Sequence, residues 1–305
     1  EAVFMLDFLN PFTWWKAVKR IHAKKSDLVI FHWVSPSMAL VFSFVSFFSK
    51  RMNKNKVLFI CHNLKPHEGS IIDRFLTKIT FSNVDSFLVH SKEDYNNLKK
   101  SNPTKNIICG FHPTYSIFSF GEKLVKKDYT NKILFFGFVR KYKGLKYLLE
   151  AMQIVLKERD IKLVVVGEFY EDKKDYLDLI EKLGIGDNVE IVDKYIPNEN
   201  VSGYYSESDL LVLPYISGTQ SGIIQLSFGL GVPVISTKVG GFHECVDHGK
   251  TGYLVEPKNS KALADMILEY YKENKKEAFV NNIMDMGDKF SWKNYIDLIC
   301  KNLEY

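Results

Sequence analysis

Three short stretches hold residues whose types and spacing could do chemistry. The first is Gly137-Phe138-Val139-Arg140-Lys141-Tyr142-Lys143-Gly144. Its leading glycine lets the backbone approach a ligand closely. Its cations come just before a predicted helix, whose first N–H groups favour anions. Cations are unfavourable there unless an anion joins them. A diphosphate would supply one, each charge-assisted bond contributing roughly 1.5–3 kcal/mol. The competing reading is a basic surface loop. The second stretch, Pro214-Tyr215-Ile216-Ser217-Gly218-Thr219-Gln220-Ser221-Gly222, is hydroxyl-rich and opens another helix. It suits a sugar or phosphate, or it is a serine helix cap and nothing more. The third, Val239-Gly240-Gly241-Phe242-His243-Glu244, pairs two glycines with a carboxylate that could bond a sugar hydroxyl or cap a helix. Apart from these, His62-Asn63 ends a predicted strand, with His67-Glu68 close behind. His62 is a candidate polar contact or proton carrier, or a hydrogen-bonded structural histidine.

All of these stretches follow apolar runs, and the runs alternate with helical patterns along the whole chain. Strands are predicted at 28–31, 57–61, 86–89 and 107–109, with helices at 71–80 and 92–100. A second series starts after the polar stretch 121–130. It has strands at 132–136, 161–166, 189–192, 209–213, 233–236 and 252–255. Helices are predicted at 143–159, 173–183 and 222–228. In the first of these, Leu145, Leu148, Leu149, Met152, Val155 and Leu156 share one face. Such alternation predicts two parallel sheets covered by helices. Ligands of open parallel sheets bind beyond the carboxyl ends of the strands, where the three stretches stand.

The 305 residues suffice for two domains. Residues 1–128 carry 19 Lys/Arg against 10 Asp/Glu, and the remainder 22 against 26. The basic first part suggests an anionic partner, a phosphate-bearing substrate or an anionic membrane surface, or else a solvated lysine-rich face. Trp14, Trp15, Lys16, Lys19 and Arg20 are the candidate membrane-facing group. The apolar stretch 28–48 is split by Pro36 into pieces too short to span a bilayer. Cys61, Cys109, Cys245 and Cys300 lie far apart with no CxxC, so neither a zinc site nor a disulfide framework is indicated. No metal-ligand cluster is evident. The chain enters mid-pattern at Glu1, and its first domain is expected to lack its first strands, roughly 50–60 residues for a domain of ordinary size.

The segments GFVRKYKGLKYLLEAM, VVVGEFYED, NVEIVDKYIPNENV, SDLLVLPYISGTQSG and GVPVISTKVGGFHECVDHGKTGYLV form an ordered series. It resembles the donor domain of the retaining sugar-nucleotide glycosyltransferases of family 4. DLVIFHWVSP, VLFICHNLKPHE, SFLVHSKEDYNNL and FHPTYSIF are similar to the later part of that family's first domain. The resemblance implies the GT-B fold, two Rossmann-like, doubly wound α/β domains facing a cleft. It implies a truncated acceptor-side domain at 1–120, a linker at 121–130 and a donor domain at 131–290. A terminal helix at 291–305 would pack back toward the first domain.

The resemblance assigns the leaving diphosphate to Lys143, with Arg140 helping. Phe138 stands where the family's arginine usually follows the glycine. His62 would lie beside the sugar, and the backbone near Tyr195 and Ile196 would hold the base, of uridine or guanosine type. Glu244 matches the acidic residue of the family's GG-x-x-E turn. The family's two glutamates, eight positions apart, fall on Gly218 and Leu226. Gly137, Thr219, Gln220, Ser221 and Gly222 remain for the donor, with Gln225 toward the ribose. The implied reaction is metal-independent transfer from a nucleoside-diphosphate sugar to a glycan or lipid-linked hydroxyl. No cofactor is implied. The implied location is cytoplasmic, at the inner face of the cell membrane, in cell-envelope polysaccharide synthesis. No nucleic-acid partner is expected. The alternative is a non-catalytic sugar-nucleotide-binding or scaffolding subunit, motivated by the two missing glutamates. A sugar-nucleotide epimerase would need cleft carboxylates that are not located. A dehydrogenase would need a GxGxxG after a strand, and none is present.

Overall fold

The computed structural model describes residues 5–64, 70–115, 130–287 and 289–303. The chain divides into two units, Glu1–Phe111 with Leu298–Tyr305, and His112–Asp297. The expected linker at 121–130 lies outside the described residues except for Thr130, and His67-Glu68 lies outside them entirely. The division falls earlier than that linker because residues 112–115 belong to the second unit. Thr114 N donates to Phe290 O at 2.9 Å, and Tyr115 packs against the second unit's core.

The first unit is one parallel sheet in chain order: β1 (Leu28–Trp33), β2 (Lys56–Cys61), β3 (Ser86–Val89) and β4 (Asn106–Cys109). Its helices are α1 (Pro11–Ala23), α2 (Ala39–Asn53), α3 (Ile71–Ser82) and α4 (Lys92–Ser101). Side-chain caps start α1, α3 and α4. Asn10 accepts from Phe12 N ahead of α1, Ser70 and Asp73 form a capping box on α3, and Ser91 accepts from Asp94 N at α4. Pro36 opens a short 3-10 turn that separates β1 from α2. No helix among the described residues is long and apolar enough to cross a membrane. Five consecutive residues of β2 are buried, as expected of a strand covered on both faces. The core is aromatic, with Trp33, Phe59, Phe81 and Phe87 in mutual contact. Trp14 and Trp15 belong to it as well, because they pack edge-on against Phe44 and Phe48 of α2. Both remain half-buried, and Lys16, Lys19 and Arg20 are exposed.

The second unit holds β5 (Lys132–Phe136), β6 (Lys162–Val166), β7 (Val189–Val192), β8 (Leu210–Leu213), β9 (Val234–Thr237) and β10 (Gly252–Val255). Its helices are α5 (Leu145–Val155), α6 (Lys173–Leu183), α7 (Asn198–Ser206), α8 (Gly222–Gly229), α9 (Phe242–Cys245), α10 (Ser260–Lys272) and α11 (Lys276–Met286). α12 (Trp292–Leu303) runs on into the first unit's segment. The sheet order is β10-β9-β8-β5-β6-β7, all parallel. α5 is shorter than the predicted 143–159. Lys141–Lys143 form a 3-10 turn, and Gly144, at φ 69°, resets the chain before the helix.

At the amino ends of the strands, Asp209 is fully buried just before β8. It binds Lys276 Nζ at 2.8 Å, Thr130 N at 2.9 Å and the Tyr271 hydroxyl at 3.2 Å. This network anchors α10 and α11 beneath the sheet. The reactive stretches lie at the other edge.

Candidate active site

The strand order locates the site. Chain order starts at β5, runs outward through β6 and β7, then returns to β8 on the other side of β5 and runs outward again. β5 and β8 are therefore neighbours whose following connections diverge, which opens a crevice beyond their carboxyl ends. The segments that follow them are residues 137–144 and 214–222.

Backbone contacts lock these loops together. A Cβ on Gly144 would stand 2.0 Å from Pro214 O, and Ile216 N donates to Tyr142 O at 2.7 Å. A Cβ on Gly240, at φ 47°, would stand 2.1 Å from Gly218 O, and Gly241 N donates to Thr219 O at 2.8 Å. Only glycine combines such a φ with so close an approach. The loops after β5, β8 and β9 thus form one interlocked surface.

Lys143 sits within it. Its side chain is 7% exposed, so it is no solvated surface charge. Its Nζ would be 2.9 Å from a Cβ on Gly137, and lies 5.5 Å from the centre of the Tyr215 ring. Ile223, in the first turn of α8, lies against the same glycine. Lys143 makes no ion pair with any described residue. Burial, and then the nearby Arg140 guanidinium, lower its pKa to about 8. Arg140 and Lys141 are exposed by contrast. Arg140 rests 4.4 Å over the Tyr170 ring, which in turn meets Phe138 edge-on. Phe138, at the family's arginine position, therefore helps to seat the arginine two residues later.

The start of α8 decides the second stretch. A plain helix cap would have the Ser221 side chain accepting from the first turn, and no such bond is present. Ser221 is buried all the same. The first turn of α8 thus begins without a side-chain cap, close to Gly137 and Lys143. Sequence reasoning missed two neighbours here. The Tyr115 hydroxyl and His112 Nε2 lie 3.4 and 3.6 Å from a Cβ built on Gly222. They pair at 3.2 Å, with His112 Nδ1 directed at Pro113 O. Burial lowers the His112 pKa, so the ring stays neutral and can accept from the tyrosine. The sole signal was the quoted FHPTYSIF, which carried no spacing that pointed to residue 222.

A buried lysine without a counterion, an uncapped helix start and interlocking glycines describe an anion cradle. Residues 130–273 match the family described as glycosyl transferases group 1. They are a glycosyl transferases group 1 domain. The chain is 32% identical over 182 residues to an uncharacterized glycosyltransferase of Methanocaldococcus jannaschii, covering 58% of this chain and 45% of that protein. It is 34% identical over 156 residues to the N-acetyl-alpha-D-glucosaminyl L-malate synthase of Bacillus anthracis, covering 49% and 39%. It thus spans less than half the length of these curated relatives. Anabaena HepE, solved in complex with UDP and glucose, superposes with a TM-score of 0.76 at 17% identity over 100% of this chain and 85% of that one. The likeness is one of fold: two parallel-sheet α/β domains of GT-B type.

The other expected residues of the transferase domain are distributed unevenly. Thr219, Gln220 and Gly222 lie half-buried on the loop after β8. Glu244 is half-buried in α9, beyond the Gly240 contact. Tyr195 and Ile196 follow β7 on the same edge of the sheet; Tyr195 is exposed and Ile196 is built into the core. Gln225 is fully enclosed, and its amide has no hydrogen-bond partner among the described residues, so this structure does not bring it to the loop surface. Leu226, at the second glutamate position, is buried as well.

In the first unit, His62 is half-buried just past β2. Its Nε2 is 3.0 Å from His32 Nδ1, and its ring faces that of His90 at 5.3 Å. The three rings thus form a ladder across the carboxyl edge of β1, β2 and β3. The bond to His32 accounts for part of the structural reading of His62 and leaves its chemical reading standing.

Proposed function

We propose that the chain acts as a retaining glycosyltransferase, moving a sugar from a uridine or guanosine diphosphate donor to the hydroxyl of a glycan or lipid-linked acceptor, without a metal. The observation that carries this reading is Lys143, a buried cation with no counterion among the described residues, set beside the uncapped start of α8. Such a site favours a dianionic diphosphate over water, and favours it more as charge grows on the leaving oxygen. In the proposed step the bond from sugar C1 to the phosphate oxygen breaks. The acceptor oxygen bonds to C1 on the same face, and its proton passes to the departing phosphate. Lys143 and the first N–H groups of α8 hold the charge that forms, Arg140 adds to the field from the rim, and Thr219, Gln220 and Glu244 meet the donor sugar. The base rests near Tyr195 and Ile196. We read the protein as cytoplasmic, working at the inner face of the cell membrane in polysaccharide synthesis.

The test is a thermal-shift and calorimetric screen of uridine and guanosine diphosphates and their sugars, followed by a transfer assay. A stabilising nucleoside diphosphate and a loss of transfer of at least about a hundredfold in Lys143→Ala are expected. Full activity in that variant would sink the role of Lys143. A second reading, a sugar-nucleotide-binding subunit without turnover, is favoured by Gly218 and Leu226 at the glutamate positions. Tight donor binding with neither transfer nor donor hydrolysis would select it.

A further inference from the structure

A tyrosine and a histidine stand over the first residue of α8. A Cβ built on Gly222 would lie 3.4 Å from the Tyr115 hydroxyl oxygen and 3.6 Å from His112 Nε2. Ile223, the next residue, lies against Gly137, which borders Lys143 Nζ. Successive helix residues point about 100° apart. Lys143 and Tyr115 therefore flank the start of α8 on different sides.

The pair is set in one protonation pattern. His112 Nδ1 lies 3.2 Å from Pro113 O, and a carbonyl only accepts, so Nδ1 carries the proton. Burial lowers the His112 pKa and keeps the ring neutral, which leaves Nε2 as an acceptor. Burial raises the Tyr115 pKa and keeps the phenol protonated. Its hydroxyl, 3.2 Å from Nε2, donates to it. Thr114, between the two, is pinned by its N–H, which donates to Phe290 O at 2.9 Å. A phenol oxygen whose proton is committed meets a further partner by accepting.

An acceptor has a use at this place. Lys143, Arg140 and the N–H groups of α8 all donate, which suits a phosphate. A sugar hydroxyl donates as well as accepts. Residues 214–226, which form the loop after β8 and the start of α8, hold no carboxylate. The sugar of a nucleoside-diphosphate donor is joined to the terminal phosphate. A phosphate held at the start of α8 therefore brings the sugar beside Tyr115.

We propose that the Tyr115 oxygen accepts a hydroxyl of the donor sugar, and that His112 is the positioning residue that turns it to accept. The inference rests on the transferase reading and adds to it a sugar contact. A donor whose sugar lacks that hydroxyl is then disfavoured.

UDP, GDP, UDP-glucose, UDP-N-acetylglucosamine and GDP-mannose are titrated calorimetrically into wild type and variants. Tyr115→Phe removes one oxygen and keeps the ring. It should weaken a sugar donor by roughly fivefold to twentyfold and leave the free nucleoside diphosphate within about twofold. His112→Leu should reproduce that loss. His112→Gln, whose amide oxygen can accept from Tyr115, should recover most of it. Tyr115→Phe with His112→Leu should bind the sugar donor no more weakly than Tyr115→Phe alone. Melting curves check that each variant is folded. If none is, single-deoxy forms of the bound donor decide the matter on wild type. Loss of affinity at one hydroxyl is expected, and equal binding of every deoxy form overturns the proposal. A folded Tyr115→Phe that binds the sugar donor as wild type does, or that loses the free nucleoside diphosphate equally, overturns it and leaves the transferase reading intact. Wild-type protein that binds none of these ligands overturns both.

Discussion

The second unit buries two lysines to the same degree at opposite edges of one sheet, and they do opposite things. Lys276 and Lys143 are each 7% exposed. Lys276 meets the fully buried Asp209 at 2.8 Å beneath the amino ends of the strands. Lys143 stands beyond the carboxyl ends with no carboxylate to meet it among the described residues, and its pKa falls to about 8. A paired buried charge is architecture. An unpaired one is a cost the fold retains, and a bound anion is what would relieve it.

The largest effect should come from breaking the paired edge. Lys276→Met removes the partner of the buried Asp209, and should lower unfolding free energy by about 3–5 kcal/mol in denaturant titrations. Lys143→Met should reverse that sign. Below pH 8 both folded and unfolded chains hold this proton, so the folded state carries the full burial cost, and the cost fades as pH rises from about 8 toward 10.5. Removing the charge should therefore leave stability unchanged or raise it, by at most about 3 kcal/mol, while transfer falls by roughly 10²–10³. A variant that loses both stability and transfer would break the contrast.

Gly240→Ala comes next. Its Cβ would meet Gly218 O at 2.1 Å in a backbone at φ 47°. About 1–3 kcal/mol of stability should be lost, together with donor affinity, in paired melting and calorimetric runs. pH sharpens the contrast further. A diphosphate selects protonated Lys143, so wild-type affinity should fall as pH rises through about 8, by about tenfold per unit well above it. In Lys143→Met the calorimetric profile should be flat across that range. The smallest change belongs to Arg140→Ala. That guanidinium is exposed and stacked on Tyr170, and its loss should weaken donor binding by about twofold to fivefold.

The sequence showed the strands plainly, because runs such as Ile133–Phe135 and Leu163–Val166 are buried on both faces and need no partner to be recognised. It showed the interlocked loops too, since Gly137, Gly144 and Gly240 mark places where the chain must turn or be approached. It did not show α7, whose apolar and polar residues are too evenly mixed to read as one face. Nor did it show that α5 starts only at Leu145, which follows from Pro214 O lying under Gly144. Trp14 and Trp15 read as surface anchors because their partners, Phe44 and Phe48, are about thirty residues away in the chain. His112 and Tyr115 reach Gly222 across a still longer interval. Lys276 carried no mark that set it apart from its exposed neighbours. Periodicity reports which side of an element is covered and leaves the covering residue unnamed.

The contacts at Gly144 and Gly240 have a consequence for how this site can change. With carbonyl oxygens of one loop lying where side chains of the next would begin, the contour of the cradle is drawn by main chain alone. Under the proposed function, replacing Thr219 or Gln220 would rewrite the chemistry offered to a sugar and leave that contour as it was. Shape and selectivity are inherited separately in this domain, so a new donor preference needs a new side chain and no new fold.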